Sequence, residues 1–303
     1  MAYLFQRHRF SHRAPLLFLA LLAVSTAFAQ ERADCRAFRS TILHASVRYC
    51  VFLPASYFSA NAKTQRFPVL YLLHGLGGNE REMALSGEWS VLQDLRRDHK
   101  VGDFLVVAPD GSDTFYINSQ DGKTLYGDFF LREFMPFIER THRVRAERAA
   151  RGITGFSMGG YGALQIAFAN PELFGSASAH SAALMRVPPQ GVAAGASAGN
   201  LPAAILTNVF GNPINRDFWD LNSPFVLAKK NAALLSKTKI YFDCGTEDRY
   251  GFNRTASELD QTLRSLKIPH EFHLYPGGHN VSYLLAHRGA SFEFHWREFE
   301  LAR

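Results

Sequence analysis

The sequence predicts an α/β domain with a mostly parallel central sheet, helices on both faces and an antiparallel hairpin at the N-terminal side. Three observations predict it. Short apolar runs recur along the chain, each suited to a strand buried on both faces. Segments with helical spacing lie between them, and parallel strands need such crossovers. Several runs end in loops rich in glycine or acids, where an open α/β sheet gathers its functional residues.

The elements follow in order. A hairpin is expected over about Ala37 to Leu53, with a strand from Val47 to Leu53. Phe67-Pro68-Val69-Leu70-Tyr71-Leu72-Leu73 is the first buried strand, and Pro68 fits at its start, where no ladder donor is needed. Further strands are expected at Phe104-Leu105-Val106-Val107 and near Thr154, Ser176, Ile240 and Phe272. Helical patterns lie near Val91 to Arg97, Phe130 to Thr141, Tyr161 to Ala169 and Ala256 to Leu266, and Pro136 kinks or interrupts the second. Leu184 to Leu227 breaks this rhythm with Pro188-Pro189, scattered glycines and Phe218-Trp219. Lying between two core strands, it is either a cap over the site or a solvated excursion at the sheet edge. No internal repeat is visible.

The chemistry centres on Gly155-Phe156-Ser157-Met158-Gly159, a G-x-S-x-G turn between a short strand and a small-residue helix. Such a turn exposes the serine oxygen above a helix N-terminus, which favours developing negative charge. The pentapeptide alone arises by chance. Two other stretches give it weight. Upstream, the Val69 strand runs into His74-Gly75-Leu76-Gly77-Gly78, a loop type that supplies an oxyanion-binding amide, and the expected donors are the backbone N–H groups of Leu76 and Met158. His74 is expected to support that loop.

Downstream, the Ile240 strand leads into Asp243-Cys244-Gly245-Thr246-Glu247-Asp248, and the Phe272 strand into Pro276-Gly277-Gly278-His279-Asn280. The order serine, acid, histidine is that of the α/β-hydrolase fold. His279, on a Gly-Gly loop, is the expected base, whereas His270 and His273 read as structural strand residues. Asp248, further out in its loop, is the preferred acid, with Asp243 and Glu247 as alternatives. Phe115, Tyr116 and Asn118, after a strand end, and Asn280, beside the histidine, are candidate substrate contacts.

At these residues the chain resembles the esterase D / tributyrin esterase group of serine hydrolases, with feruloyl esterases and mycobacterial mycolyltransferases as more distant relatives. The resemblance runs from about Ser40 to Tyr283. It rests on HGLGGNE (His74 to Glu80), APDG (Ala108 to Gly111), GFSMGGYGAL (Gly155 to Leu164), DCGTEDRYGFNR (Asp243 to Arg254) and PGGHNVSY (Pro276 to Tyr283). It implies an α/β-hydrolase fold, a Ser157–His279–Asp248 triad and oxyanion amides at Leu76 and Met158. Relatives often carry Trp two positions after the histidine, where this chain has Val281.

Residues 1–29 are expected to be a cleavable secretory signal. Arg7, Arg9 and Arg13 precede an apolar stretch from Ala14 to Ala27, too short to span a bilayer comfortably, and Ala27-Phe28-Ala29 offers a cleavage site before Gln30. The expected compartment is therefore the periplasm or medium, with no membrane anchor after cleavage, leaving one catalytic domain over residues 30–303. The formal charge of +6 falls to +3 once the three arginines of the leader, which holds no acid, are gone. That mild balance gives no case for nucleic-acid binding, and the cluster Arg143, Arg145, Arg148, Arg151 reads as a solvated helix face. The histidines show no zinc spacing, and no dinucleotide or P-loop motif is present, so no metal or cofactor is expected. The expected substrate is a small-molecule or polysaccharide-linked ester.

Three cysteines are present. Cys35 and Cys50 are near enough for pairing in an oxidising compartment. A hairpin turning near His44, however, sets Cys50 opposite a residue later than Cys35, so register does not favour the bond. Cys244 reads as a small buried apolar residue.

Overall fold

The computed structural model describes residues 30–59, 63–189, 197–198 and 201–301. The expected leader, 1–29, lies outside them. The main sheet has eight strands: β1 (Arg32–Arg39), β2 (Ser46–Leu53), β3 (Val69–Leu73), β4 (Leu105–Pro109), β5 (Arg151–Phe156), β6 (Ser176–His180), β7 (Lys239–Gly245) and β8 (Glu271–Tyr275). Their spatial order is β1-β2-β4-β3-β5-β6-β7-β8. The hairpin β1–β2 and the pair β2–β4 are antiparallel, and β3 to β8 all run parallel. This is the mostly parallel sheet with an antiparallel N-terminal hairpin that the sequence predicts.

The helices used below are α1 (Glu88–Arg97), α2 (Met158–Ala169), α3 (Ala203–Phe210), α4 (Arg216–Asn222), α5 (Pro224–Lys230), α6 (Phe252–Ser265) and α7 (Val281–Leu301). Strand alternation divides the core between the two faces. Leu70, Leu72, Cys50, Phe52 and Val106 pack with Leu92 and Leu95 of α1 and with Phe292, Trp296 and Phe299 of α7. Val69, Tyr71, Leu73, Leu105 and Val107 face the other way, toward α2, α5, α6 and the aromatic residues of 126–141. Among the described residues no helix is long and apolar enough to cross a membrane.

Three expectations are corrected. The hairpin turns earlier than His44: Arg39 pairs with Ser46, which places Cys35 directly opposite Cys50, and the two form a disulfide with Cα atoms 4.0 Å apart. The turn is shifted because its polar groups gather on a distant carboxylate. Glu133 accepts from the hydroxyls of Ser40 and Thr41 and from the amides of Thr41 (3.0 Å) and Ile42 (3.2 Å).

The arginine cluster is not a solvated helix face. Arg151 belongs to β5, is buried and pairs with Glu139 at 2.7 Å. Arg148 donates to the carbonyls of Pro171 and Lys237 (2.8 and 3.1 Å), and Arg143 lies 4.0 Å over the Tyr57 ring. These side chains tie loops together, so their charges are directed inward.

The third correction concerns 126–141. It is helical throughout, but a π turn over Phe129–Phe134 precedes the α segment Met135–Thr141, and Pro136 falls in the first turn of that segment. A missing N–H is tolerated there.

Candidate active site

All six parallel strands deliver their C-terminal ends to one edge of the sheet. Leu73 of β3 leads to His74, Phe156 of β5 to Ser157, Gly245 of β7 to the acidic loop, and Tyr275 of β8 to the His279 loop. The site therefore follows from strand direction.

Ser157 sits at the β5–α2 turn with φ +56° and ψ −116°, a conformation L-residues seldom adopt. Surrounding contacts hold it there. Its N–H donates to the His180 carbonyl (3.0 Å), and its own carbonyl accepts from Ala183 (2.9 Å) and Tyr161 (3.0 Å). The flanking glycines are required by space. A Cβ on Gly155 would lie 2.2 Å from backbone atoms of Gly159, and one on Gly159 would lie 2.0 Å from the Leu73 carbonyl oxygen.

The Ser157 hydroxyl lies 2.9 Å from His279 Nε2, and His279 Nδ1 lies 2.8 Å from Asp248 Oδ2. Asp248 also accepts from the Tyr250 amide (2.9 Å) and from the Cys244 thiol (3.4 Å). Nδ1–H donation to the carboxylate leaves Nε2 free to accept from the serine. Of the three acids near this strand end, Asp248 is the one within bonding distance of His279. Glu247 is exposed. Asp243 is buried and paired elsewhere: His180 Nδ1 lies 2.8 Å from Oδ2, and the hydroxyls of Tyr241 and Tyr283 donate to it at 2.9 Å each. Burial alone would raise the Asp243 carboxyl, but the His180 charge and these hydrogen bonds hold it below its usual value.

The His74 loop approaches from β3. His74 Nδ1 bonds the Gly75 carbonyl, and Nε2 accepts from the Gly111 amide, both at 2.8 Å. This ring holds the loop in place, as expected. Leu76 follows on that loop. Met158 is the first residue of α2, where N–H groups lack intrahelical acceptors.

The four candidate substrate contacts each have partners within the protein. Phe115 and Tyr116 are fully buried: Phe115 packs edge-on against Tyr161 and Phe210, and the Tyr116 hydroxyl donates to the His74 carbonyl (3.0 Å). Asn118 Oδ1 accepts from the Asp128 amide (3.0 Å), and Asn280 Oδ1 from the Tyr283 amide (2.9 Å), which caps α7. A residue past a strand end can turn back into the core, and Phe115 and Tyr116 do, whereas Asn118 is half-buried and Asn280 exposed. The side chains missed in the sequence surround the histidine instead. Phe156 and Tyr250 have ring centroids 4.8 Å from His279, and Phe252 has one at 5.5 Å. Their positions inside GFS and DRYGF were the available signal.

The described helices of the 184–227 region pack beside the elbow helix α2. Phe210 and Trp219 are buried against each other (4.6 Å between centroids), and the Tyr161 hydroxyl donates to the Asn222 carbonyl (2.8 Å). Helices α3, α4 and α5 are thus packed onto α2. Residues 190–196 and 199–200 of the expected cap lie outside the described ones.

Comparison with known proteins agrees with this architecture. The Mycobacterium tuberculosis protein Esterase Rv1288 is 29% identical over 246 residues, covering 76% of this chain and 51% of that protein. An endo-1,4-beta-xylanase/feruloyl esterase of Xylanibacter ruminicola is 33% identical over 130 residues, 41% of this chain and 18% of that one. The chain thus spans about half the length, or less, of these relatives. A solved ferulic acid esterase superposes with a TM-score of 0.75 at 26% identity, covering 89% of this chain and 99% of that chain. The model of the Esterase family matches residues 40–288, from the hairpin turn to α7, and the chain belongs to that family.

Proposed function

We propose that this protein is a secreted serine carboxylesterase that hydrolyses short-chain acyl or aryl esters through an acyl-enzyme. The observation that carries the reading is the hydrogen-bonded line Ser157–His279–Asp248 at the carboxyl edge of the sheet, with spacings of 2.9 and 2.8 Å. Membership of an esterase family supports the same chemistry.

A serine hydroxyl is a weak nucleophile until a neighbouring base takes its proton. His279 Nε2 does so as Ser157 Oγ bonds to the ester carbonyl carbon. Asp248 keeps the imidazole in the tautomer that accepts at Nε2 and stabilises the imidazolium. The amides of Leu76 and Met158 receive the oxyanion, each worth about 3 kcal/mol. His279 then protonates the departing alcohol as the carbon–oxygen bond breaks. Water, deprotonated by the same histidine, releases the acid and restores Ser157. No step calls for a metal or cofactor.

A second reading within the same chemistry is removal of feruloyl or acetyl groups from a polysaccharide. The names of the Xylanibacter relative and of the superposed ferulic acid esterase favour it. Acyl transfer would use the same residues and differ only in the acceptor. Hydrolysis of p-nitrophenyl esters from acetate to decanoate, with methyl ferulate alongside and Ser157→Ala as control, tests both. Short-chain turnover lost in the variant is expected. Preference for ferulate moves the assignment to polymer side chains, and no turnover of any ester by folded protein overturns the hydrolase reading.

A further inference from the structure

A cavity of about 400 Å³ lies between residues 184–189 and the start of α6, and Ser157, His279 and Asp248 are not among its lining residues. That is room for a group the size of a substituted benzene ring or larger. Two of its walls are Tyr250 and Phe252, whose rings also contact His279. A third is Leu184, next to Ala183, whose amide bonds the Ser157 carbonyl. The cavity is therefore one layer of side chains away from the Ser157–His279 pair, on the histidine side.

Its charges are unequal. Arg186, Arg254 and Glu258 line it, for a formal sum of +1. Arg186 is occupied: it lies 3.7 Å from Glu258 and 5.6 Å over the Phe225 ring. The guanidinium of Arg254 is exposed, and among the described residues it has no ion pair, side-chain hydrogen bond or aromatic partner. An arginine at the mouth of a largely apolar cavity suits a carboxylate carried on an apolar body.

We infer that this cavity is the subsite for the alcohol half of the ester, and that Arg254 selects alcohols bearing a carboxylate. The inference rests on the serine-esterase reading. The side follows from the chemistry: the carbonyl oxygen points to the Leu76 and Met158 amides, whereas the leaving oxygen must lie within reach of His279 Nε2, which protonates it. The part of the substrate beyond that oxygen then extends past Tyr250 into the cavity. Hydrolysis adds one water across the ester bond and releases the acyl group as its acid and a hydroxy-acid as the alcohol.

Three esters test this with the full-length protein. Phenyl acetate is the neutral reference. (4-Acetoxyphenyl)acetate carries a carboxylate on the alcohol half, and monophenyl adipate carries one on the acyl half. The expected result is a kcat/KM for (4-acetoxyphenyl)acetate about tenfold above that for phenyl acetate, expressed mainly in KM and shrinking as salt is added. Arg254→Gln should bring the ratio close to one, and Arg254→Glu should push it below one. Because the ratio is taken within each variant, a general loss of folding or catalysis cancels. A wild-type ratio of one or less, a ratio that survives Arg254→Glu, or a preference for the adipate overturns the subsite while phenyl acetate turnover leaves the esterase reading standing. Absence of phenyl acetate turnover overturns the esterase reading itself.

Discussion

The Tyr283 hydroxyl donates to Asp243 Oδ1 at 2.9 Å, joining the first turn of α7 to the strand whose end carries Asp248. The His279 loop lies between these two points. The Tyr283 ring also fills the space beside Gly277, where a Cβ would approach it to 2.9 Å. Histidine and acid are therefore held in register by a buried contact that touches neither of them. Tyr283→Phe keeps the ring and removes the bond, leaving Asp243 one donor short. We expect kcat to fall about fivefold with KM nearly unchanged, and stability to fall by about 1–3 kcal/mol. Reduced stability with wild-type kcat would assign Tyr283 to the fold alone.

Replacing the acid separates the three carboxylates. Asp248→Asn should lower kcat by roughly four orders of magnitude with little change in melting temperature, because the histidine would lose its correct tautomer. Asp243→Asn should act mainly on stability, since that side chain is buried among His180, Tyr241 and Tyr283. Near-wild-type hydrolysis by Asp248→Asn would reassign the acid.

Gly159→Ala should prevent folding of the elbow. The added Cβ would meet the Leu73 backbone at 2.0 Å, and neither β3 nor α2 has room to move. Insoluble or unfolded protein is the expected outcome, read by circular dichroism. A folded, active Gly159→Ala protein would contradict this packing.

Stability should decline in mild acid because of His295. Burial holds its imidazole far below the usual range, with smaller contributions from the Arg288 and His180 charges, and it bonds the Ser176 and Ser178 hydroxyls at 2.7 and 2.9 Å. Above pH ~6.5 the ring is neutral in both folded and unfolded chains and adds no pH dependence. Below that value the unfolded chain takes up a proton that the folded one refuses, so stability drops as pH falls, by up to about 1.4 kcal/mol per pH unit. Urea unfolding between pH 7.5 and 5.5 should show a shallower decline in His295→Gln than in wild type. Equal slopes would show that His295 is protonated in the fold.

Thiol counting checks the disulfide and Cys244 together. Cys244 is buried, and burial raises its thiol well above the ordinary value, with the Asp248 charge adding to the effect. Native protein should take up no iodoacetamide. Denatured, unreduced protein should take up one equivalent, and denatured, reduced protein three. Reduction should cost about 3 kcal/mol of stability through the freed loop between Cys35 and Cys50. Three reactive thiols without reductant would show the Cys35–Cys50 bond to be absent in solution.

Much of the sheet was legible because its strands are buried on both faces. Val69 to Leu73 and Phe104 to Val107 read as unbroken apolar runs, and every residue in them is buried. Helix α7 was not legible. Its inward face includes Arg288, Ser291 and His295, whose partners are Glu88, His180, Ser176 and Ser178. A helix that buries polar groups against distant partners shows no apolar stripe. The same holds for Arg148 and Arg151, whose sequence neighbours give no hint of the carbonyls and carboxylate that bind them.

By itself the sequence determined where the buried strands lie along the chain and which loops carry Ser157, Asp248 and His279. Burial pattern and glycine placement are local properties, and strand direction then brings those loops to one edge. Only the tertiary structure decided which acid meets His279, where the hairpin turns, and that Phe115 and Tyr116 point into the core. Each of those outcomes depends on a contact between segments far apart in the chain: Asp248 with His279, Glu133 with Thr41, Tyr116 with His74. Such contacts leave no periodic trace in the sequence, because the partner that satisfies each polar group is chosen by packing in three dimensions.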